Sequence, residues 1–320
     1  VFVTNETAGV NTVLRSLRFD PGDELLVTNH EYNACRNALD FVAEQSGARV
    51  VAAHIPFPLQ NEGQIIDAVM SAVTPRTRLA LLDHVTSQTG LILPLPRLVR
   101  GLAERGIDTL VDGAHAPGMM PLHLRQLGAA YYTGNCHKWL CAPKGAGFLH
   151  VRRDRQELIR PLAISHGANS PRTDRSRFQI EFGWTGTWDP SACLSVPEAL
   201  RFVGSLLPEG WPEIMQRNRE LALAARKVLG EALRIELPCP DEFIGSLASF
   251  PLPDATGQQP PTSPLYADPL QDKLRLEFGI EVPVIPWPAP PQRLLRVSAQ
   301  LYNSLDQYRL LAEALRKALA

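Results

Sequence analysis

The 320-residue sequence carries almost no net charge, with 32 Lys and Arg against 33 Asp and Glu and no long basic run. A surface that neutralises nucleic-acid phosphates needs such a run, so nucleic-acid binding is not expected. No apolar stretch reaches the roughly 20 residues of a spanning helix, and no signal peptide opens the chain, so no membrane partner is expected. Cysteines are few and odd in number, five in all, at Cys35, Cys136, Cys141, Cys193 and Cys239. They suggest no disulfide framework, and a cytoplasmic location is the expectation. The first residue is Val1, not Met, and Val1 to Val3 read as a strand end, so the numbering is expected to begin inside a longer protein. What is present is an ordinary globular composition, 45% hydrophobic and 20% charged, long enough for a large domain and a smaller one. An even charge balance leaves room for a small-molecule enzyme.

Short aliphatic runs alternate with helical patterns through the first two hundred residues. Residues 24–28 (ELLVT), 49–53 (RVVAA), 78–83 (RLALLD) and 107–112 (IDTLVD) read as strands buried on both faces, as a parallel sheet requires. Residues 146–151 (AGFLHV) read as a further strand, and a helix is expected over 96–105, where Leu98, Gly101 and Leu102 share a face. This order predicts an α/β sheet with right-handed crossovers. Helices are expected over 191–207 and 211–233. Thereafter strands over 246–252, 281–287 and 294–299, with helices over 268–278 and 304–319, suggest an α+β domain. Of the 28 prolines, several cluster in 251–269 and 283–291, which therefore read as loops or sheet edges.

Three stretches carry chemistry. Thr4-Asn5-Glu6-Thr7-Ala8-Gly9-Val10-Asn11 leads into an apolar stripe at Val10, Val13, Leu14 and Leu17. Thr7 is the expected N-cap, and Gly9 allows a close backbone approach. The free amides of the first turn favour an anion such as phosphate, although the stretch alone is equally an ordinary capped helix. In Thr109-Leu110-Val111-Asp112-Gly113-Ala114-His115-Ala116, Asp112 closes a buried strand at the end where open α/β sheets bind ligands. A carboxylate there needs a positive partner, such as a protonated pyridine nitrogen, unless it caps the next helix. In Gly134-Asn135-Cys136-His137-Lys138-Trp139-Leu140, Lys138 stands among apolar and aromatic residues, a setting in which an amine loses charge easily and suits a Schiff base. A lone lysine is otherwise a solvated side chain. Cys136, His137 and Cys141 match no strong zinc spacing, and no metal is expected.

Together the stretches TNETAGVN, DGAHA and TGNCHKWLCAPKGAGFL resemble the class V aminotransferase family of pyridoxal 5'-phosphate (PLP) enzymes over nearly the whole chain. TGNCHKWLCAPKG, FGWTGTWDPSA and RVSAQLYNS are most similar to its isopenicillin N epimerase-like members. The resemblance implies the aspartate-aminotransferase-like fold (fold type I). A mainly parallel sheet would lie in a large PLP-binding domain, 1–207, followed by a small α+β domain, 208–320, with the family's N-terminal segment missing. It implies Lys138 as the Schiff-base lysine and α-proton base, and Asp112 as the partner of the ring nitrogen. His115 and Ser87 would stand near the ring hydroxyl, and Tyr32 would stack on the ring. Thr7, the amide of Ala8, Asn135 and His137 would hold the phosphate, joined by Thr187 of a neighbouring subunit. Arg296 would bind the substrate carboxylate. A homodimer with shared sites and an amino-acid substrate follow from the same likeness. The implied reaction is epimerisation at the α-carbon. The alternatives are a C–S lyase of the hercynylcysteine sulfoxide lyase or cysteine lyase type, and a PLP-binding protein without catalysis. Persulfide-forming desulfurase chemistry is not expected, because 251–269 contains no cysteine.

Overall fold

Four strands, each short and almost wholly aliphatic, stack in parallel because both of their faces are covered. The structure, a computed structural model, describes residues 1–255 and 268–319. In chain order the larger unit begins with β1 (Phe2–Val3), α1 (Glu6–Ser16), β2 (Glu24–Thr28), α2 (Asn33–Ser46), β3 (Arg49–Ala53), α3 (Glu62–Ser71) and β4 (Thr77–Asp83). It continues with α4 (Leu95–Ala103), β5 (Asp108–Asp112), α5 (Leu124–Leu127), β6 (Tyr131–Asn135), β7 (Gly147–Val151), α6 (Arg177–Gly183), α7 (Ser191–Leu194) and α8 (Val196–Gly204). The sheet order is β1-β7-β6-β5-β4-β2-β3. Strands β3, β2, β4, β5 and β6 are parallel, and β7 and β1 run antiparallel to their neighbours.

Alternate residues of each strand face opposite sides. Leu25, Val27, Leu79, Leu81 and Leu110 join Val10, Val13 and Leu14 of α1 and Leu39 of α2 in one core. Their neighbours Leu26, Ala80, Leu82 and Val111 are equally buried. Each fully buried leucine contributes about 1.5–3 kcal/mol of transfer free energy, so the sheet is held by its two covered faces. Helix α1 lies so close to β6 that a Cβ on Gly9 would sit 2.0 Å from Thr133 Oγ1. Gly9 therefore serves helix–strand packing.

The smaller unit consists of 56–61, 86–92 and 212–320, and the larger of 1–55, 62–85 and 93–211. The smaller unit takes α9 (Trp211–Leu233) from its second residue onward, then β8 (Leu247–Leu252), α10 (Pro269–Phe278), β9 (Val284–Pro286), β10 (Arg293–Ser298) and α11 (Leu305–Leu319). Its antiparallel sheet has the order β8-β10-β9, which leaves Pro251 and Pro286 on edge strands. That is where a residue without an amide hydrogen does least damage. Residues 86–92 join this sheet region: Leu91 bridges Ile244, and Ser249 Oγ donates to Gln88 O at 2.7 Å.

Three expectations need correction. The helix expected over 191–207 is two helices, α7 and α8, parted at Ser195, because Pro197 cannot continue the hydrogen-bond ladder. The N-cap of α1 is Asn5 and not Thr7: Asn5 is extended and its side chain accepts from Ala8 N, whereas Thr7 already lies within the helix. The loop expected over 251–269 begins inside β8, and its part at 256–267 lies outside the described residues. No described helix is long and apolar enough to cross a membrane.

Candidate active site

The carboxyl ends of β4, β5 and β6 lie side by side, with Asp83 paired to Asp112 and Asp112 to Thr133. Asp112 is buried. Its Oδ1 accepts from Ala114 N at 2.8 Å, and its Oδ2 lies 3.4 Å from Cys35 Sγ. Burial pushes its acid up, while the Ala114 amide, Lys138, Cys35 and Glu6 hold it down. An amide turned onto a carboxylate favours the ionised form.

Lys138 follows β6. Its Nζ lies 3.2 Å from His115 Nε2, and Trp139 Nε1 donates to His115 Nδ1 at 3.4 Å. An indole can only donate, so His115 Nδ1 is the acceptor in that contact. Asp112, His115 and Lys138 thus meet in the larger unit, on segments that end or follow β5 and β6.

At the neighbouring end of α1, Asn5 Oδ1 accepts from Ala8 N at 2.8 Å and Asn135 Oδ1 accepts from Glu6 N at 2.9 Å. The first turn of α1 is therefore tied directly to the end of β6. Thr7 Oγ1 points along the same turn, donating to Glu6 Oε2 at 3.3 Å. His137 lies two residues beyond Asn135, and its Nδ1 is buried with no hydrogen-bond partner among the described residues. Burial lowers its pKa.

Tyr32 caps α2 by its backbone, and its ring is 41% exposed. Thr187 is exposed in the segment between α6 and α7. Ser87 and Arg296 belong to the smaller unit, where Arg296 Nη1 donates to Ser87 O at 2.5 Å and lies 3.2 Å from Ser87 Oγ. The pairing of a β10 arginine with the 86–92 segment was not visible in the sequence.

Sequence reasoning also missed a buried acidic cluster. Glu6, Cys35 and Asp112 bring ligand-type atoms within 4.8 Å of one another, as do Glu31, Asp83 and Asp112. One signal was available: β4 and β5 are both aliphatic strands that end in aspartate, and only the second drew attention. Behind Asp83, the His84 Nδ1 and Tyr132 hydroxyl lie 2.7 Å apart, and burial pushes His84 down to about 4.

These features fit a PLP ring and its phosphate. The first turn of α1, tied to the end of β6 through Asn135, is a helix start of the kind that binds anions, and the buried Asp112 calls for a cation.

Comparison with known proteins agrees with this fit. Residues 1–259 match the family described as aminotransferase class-V. The chain is 36% identical to an isopenicillin N epimerase of Amycolatopsis lactamdurans, covering 99% of this chain and 79% of that protein. It is 31% identical to a putative L-cysteine desulfhydrase of Oryza sativa subsp. japonica, covering 95% and 66%. Among solved structures, a cysteine desulfurase from Thermococcus onnurineus NA1 superposes with a TM-score of 0.78 at 20% identity, covering 99% of this chain and 78% of that one, which bears on the fold alone. The chain belongs to the class V aminotransferase family: it is a fold-type-I PLP-dependent enzyme acting on an amino-acid substrate, related to both the epimerase-like and the C–S lyase members.

Proposed function

We propose that this enzyme is a C–S lyase, which takes the α-proton from an amino acid bearing sulfur on its β-carbon and releases the sulfur group as a thiol or sulfenate. The observation that carries this reading is the Lys138–His115 pair, 3.2 Å apart, beside the buried Asp112. Thr7, Ala8, Asn135 and His137 would hold the cofactor's phosphate, with Thr187 reaching across from a second copy of the chain in a homodimer. The Ala8 amide and Asn135 side chain already hold partners within the chain, so they would share them with the phosphate. Asp112 would face the ring nitrogen, His115 and Ser87 the ring hydroxyl, Tyr32 the ring face, and Lys138 the carbonyl carbon. When bound, PLP supplies an electron sink for the charge left on the substrate's α-carbon.

The chain's own residues do the rest. Arg296 would grip the substrate carboxylate with its planar fork. Lys138 would take the α-proton and hand it to the departing sulfur, while His115 holds the amine in place. One proton-handling pair on one face suffices for that elimination. The proton moves from carbon to sulfur, and hydrolysis of the released enamine yields pyruvate and ammonium. Relatives named as putative or probable L-cysteine desulfhydrases, at 31% and 30% identity, support this substrate class. No nucleophilic cysteine is needed.

A second reading is epimerisation, the reaction first expected from the sequence. The 36% identity to isopenicillin N epimerases favours it, as does the exposed phenol of Tyr32 as an acid for the opposite face.

Borohydride reduction of the holoenzyme followed by peptide mapping should label Lys138. A label on any other lysine overturns the assignment. Mass spectrometry of products from L- and D-amino acids and S-substituted cysteines should find pyruvate with a released thiol. Racemised substrate without pyruvate would replace the lyase by the epimerase. A normal cofactor spectrum without turnover of any substrate would leave a binding protein.

A further inference from the structure

Asp112 stands where two groups of buried acids intersect. Glu6, the first residue of α1, is 1% exposed, and Asp83 and Asp112 are nearly as buried. Cys35 of α2 lies between Glu6 and Asp112: its Sγ is 3.1 Å from Glu6 Oε1 and 3.4 Å from Asp112 Oδ2. A thiol has a single hydrogen, yet this one meets two carboxyl oxygens. Were both carboxyls ionised, one contact would set sulfur lone pairs against an anion, with no water to separate them. A proton on Glu6 resolves the conflict. The Glu6 O–H then donates to Asp112, its side-chain hydrogen-bond partner, and the single S–H of Cys35 is left for the remaining carboxyl oxygens.

Groups that face this point come from every packed element. α1 presents Glu6 and Thr7, α2 presents Cys35, and the turn before α2 presents Glu31. β4 presents Asp83, and beyond β6 stand Lys138 and, against it, His115. Lys138 is the basic side chain acting on Glu6, Asp83 and Asp112. One amine cannot balance four carboxylates, so most of them must hold protons. The environments also diverge. Burial, then the nearby Asp112, pushes the Glu6 acid well up. Asp112 is raised by burial but relieved by the Ala114 amide and by its neighbours. Cys35 stays a thiol, because burial and the surrounding acids push it far above the ordinary range. Paired groups whose environments part them in this way divide the proton unequally.

We propose that Glu6 is a positioning residue for the cofactor: as a neutral acid it donates to Asp112 beside Cys35, so that Asp112 is the anion presented to the ring nitrogen. This inference rests on the reading of Asp112 as the ring's partner.

The closing experiment separates the two. Infrared difference spectra of the cofactor-free chain, wild type against Glu6→Gln, should show loss of a neutral carboxylic-acid C=O band. Loss of a carboxylate band overturns the proposal without touching the cofactor reading. PLP titrations should then give Glu6→Gln an affinity and a pH profile of cofactor absorbance like those of wild type, because the amide N–H replaces the acid O–H. Glu6→Ala should bind about tenfold more weakly and shift the profile. Equal effects of Gln and Ala at position 6, or no effect of either, defeat the positioning role. An unchanged cofactor spectrum in Asp112→Ala defeats the underlying reading instead.

Discussion

Replacing Asp83 by Asn should make the cofactor-free protein more stable, and increasingly so as pH rises. Asp83 closes β4 against Asp112, and its Oδ2 has no hydrogen-bond partner among the described residues. Burial, then the nearby Asp112 and Glu6, pushes its acid well above the carboxylate range, and a charged Lys138 pulls weakly the other way. The native state thus keeps a proton that the unfolded chain releases above about pH 4. The unfolded state binds fewer protons, so stability is full below that value and falls by about 1.4 kcal/mol per pH unit as pH rises toward the native pKa. Glu6 and Glu31 act in the same direction. Two buried histidines act oppositely: His30 and His84, each pushed down to about 4, add stability as pH rises to the ordinary histidine value and nothing beyond it. The histidine contributions are common to wild type and variant and cancel in the comparison. Asn keeps the shape of Asp83 and removes one titrating proton. The variant should therefore gain about 1.4 kcal/mol over wild type per pH unit while native Asp83 stays protonated. At about 2–4 °C per kcal/mol for a unit of this size, the melting temperatures should diverge by about 3–6 °C per pH unit. Thermal melts of both cofactor-free proteins, stepped upward from neutral pH, measure this. Parallel curves would refute the claim that Asp83 is protonated in the native state.

Gly9→Ala drives a methyl group to within 2.0 Å of Thr133 Oγ1, so α1 must lift from β6. The expected cost is about 1–3 kcal/mol in thermal melts, with weaker PLP binding because the first turn of α1 moves; an unchanged melting temperature would contradict the packing. Arg296→Lys replaces a two-pronged donor by a point charge, and should raise the KM for the amino acid about tenfold with a smaller change in kcat. Steady-state kinetics showing a fall in kcat at constant KM would remove Arg296 from the substrate carboxylate.

Much of the large sheet was legible in one dimension. β2 and β3 run over the expected residues, and β4 and β5 begin within a residue of the expected places, because continuous aliphatic runs have few other fates. α9 spans the expected 211–233. β6 was not read as a strand, since Tyr-Tyr-Thr-Gly-Asn lacks that aliphatic signature and is buried by its neighbours instead. The Asn5 cap was misassigned because Asn5 and Thr7 are both good capping residues, and only the backbone turn distinguishes them. Asp112, His115 and Lys138 could be singled out in the sequence because their motifs are local.

The sequence alone determined the family, through the resemblance of contiguous motifs to its members, and the α/β fold class, through aliphatic runs whose periodicity reports their surroundings. Tertiary structure alone decided which groups share a proton. Glu6, Glu31, Cys35, Asp83 and Asp112 are scattered over the first third of the chain, and only the crossovers that set β4 beside β5, with α1 and α2 on one face, bring them together. Charge repulsion and desolvation act through space, so the protonation of that cluster could not be read along the chain.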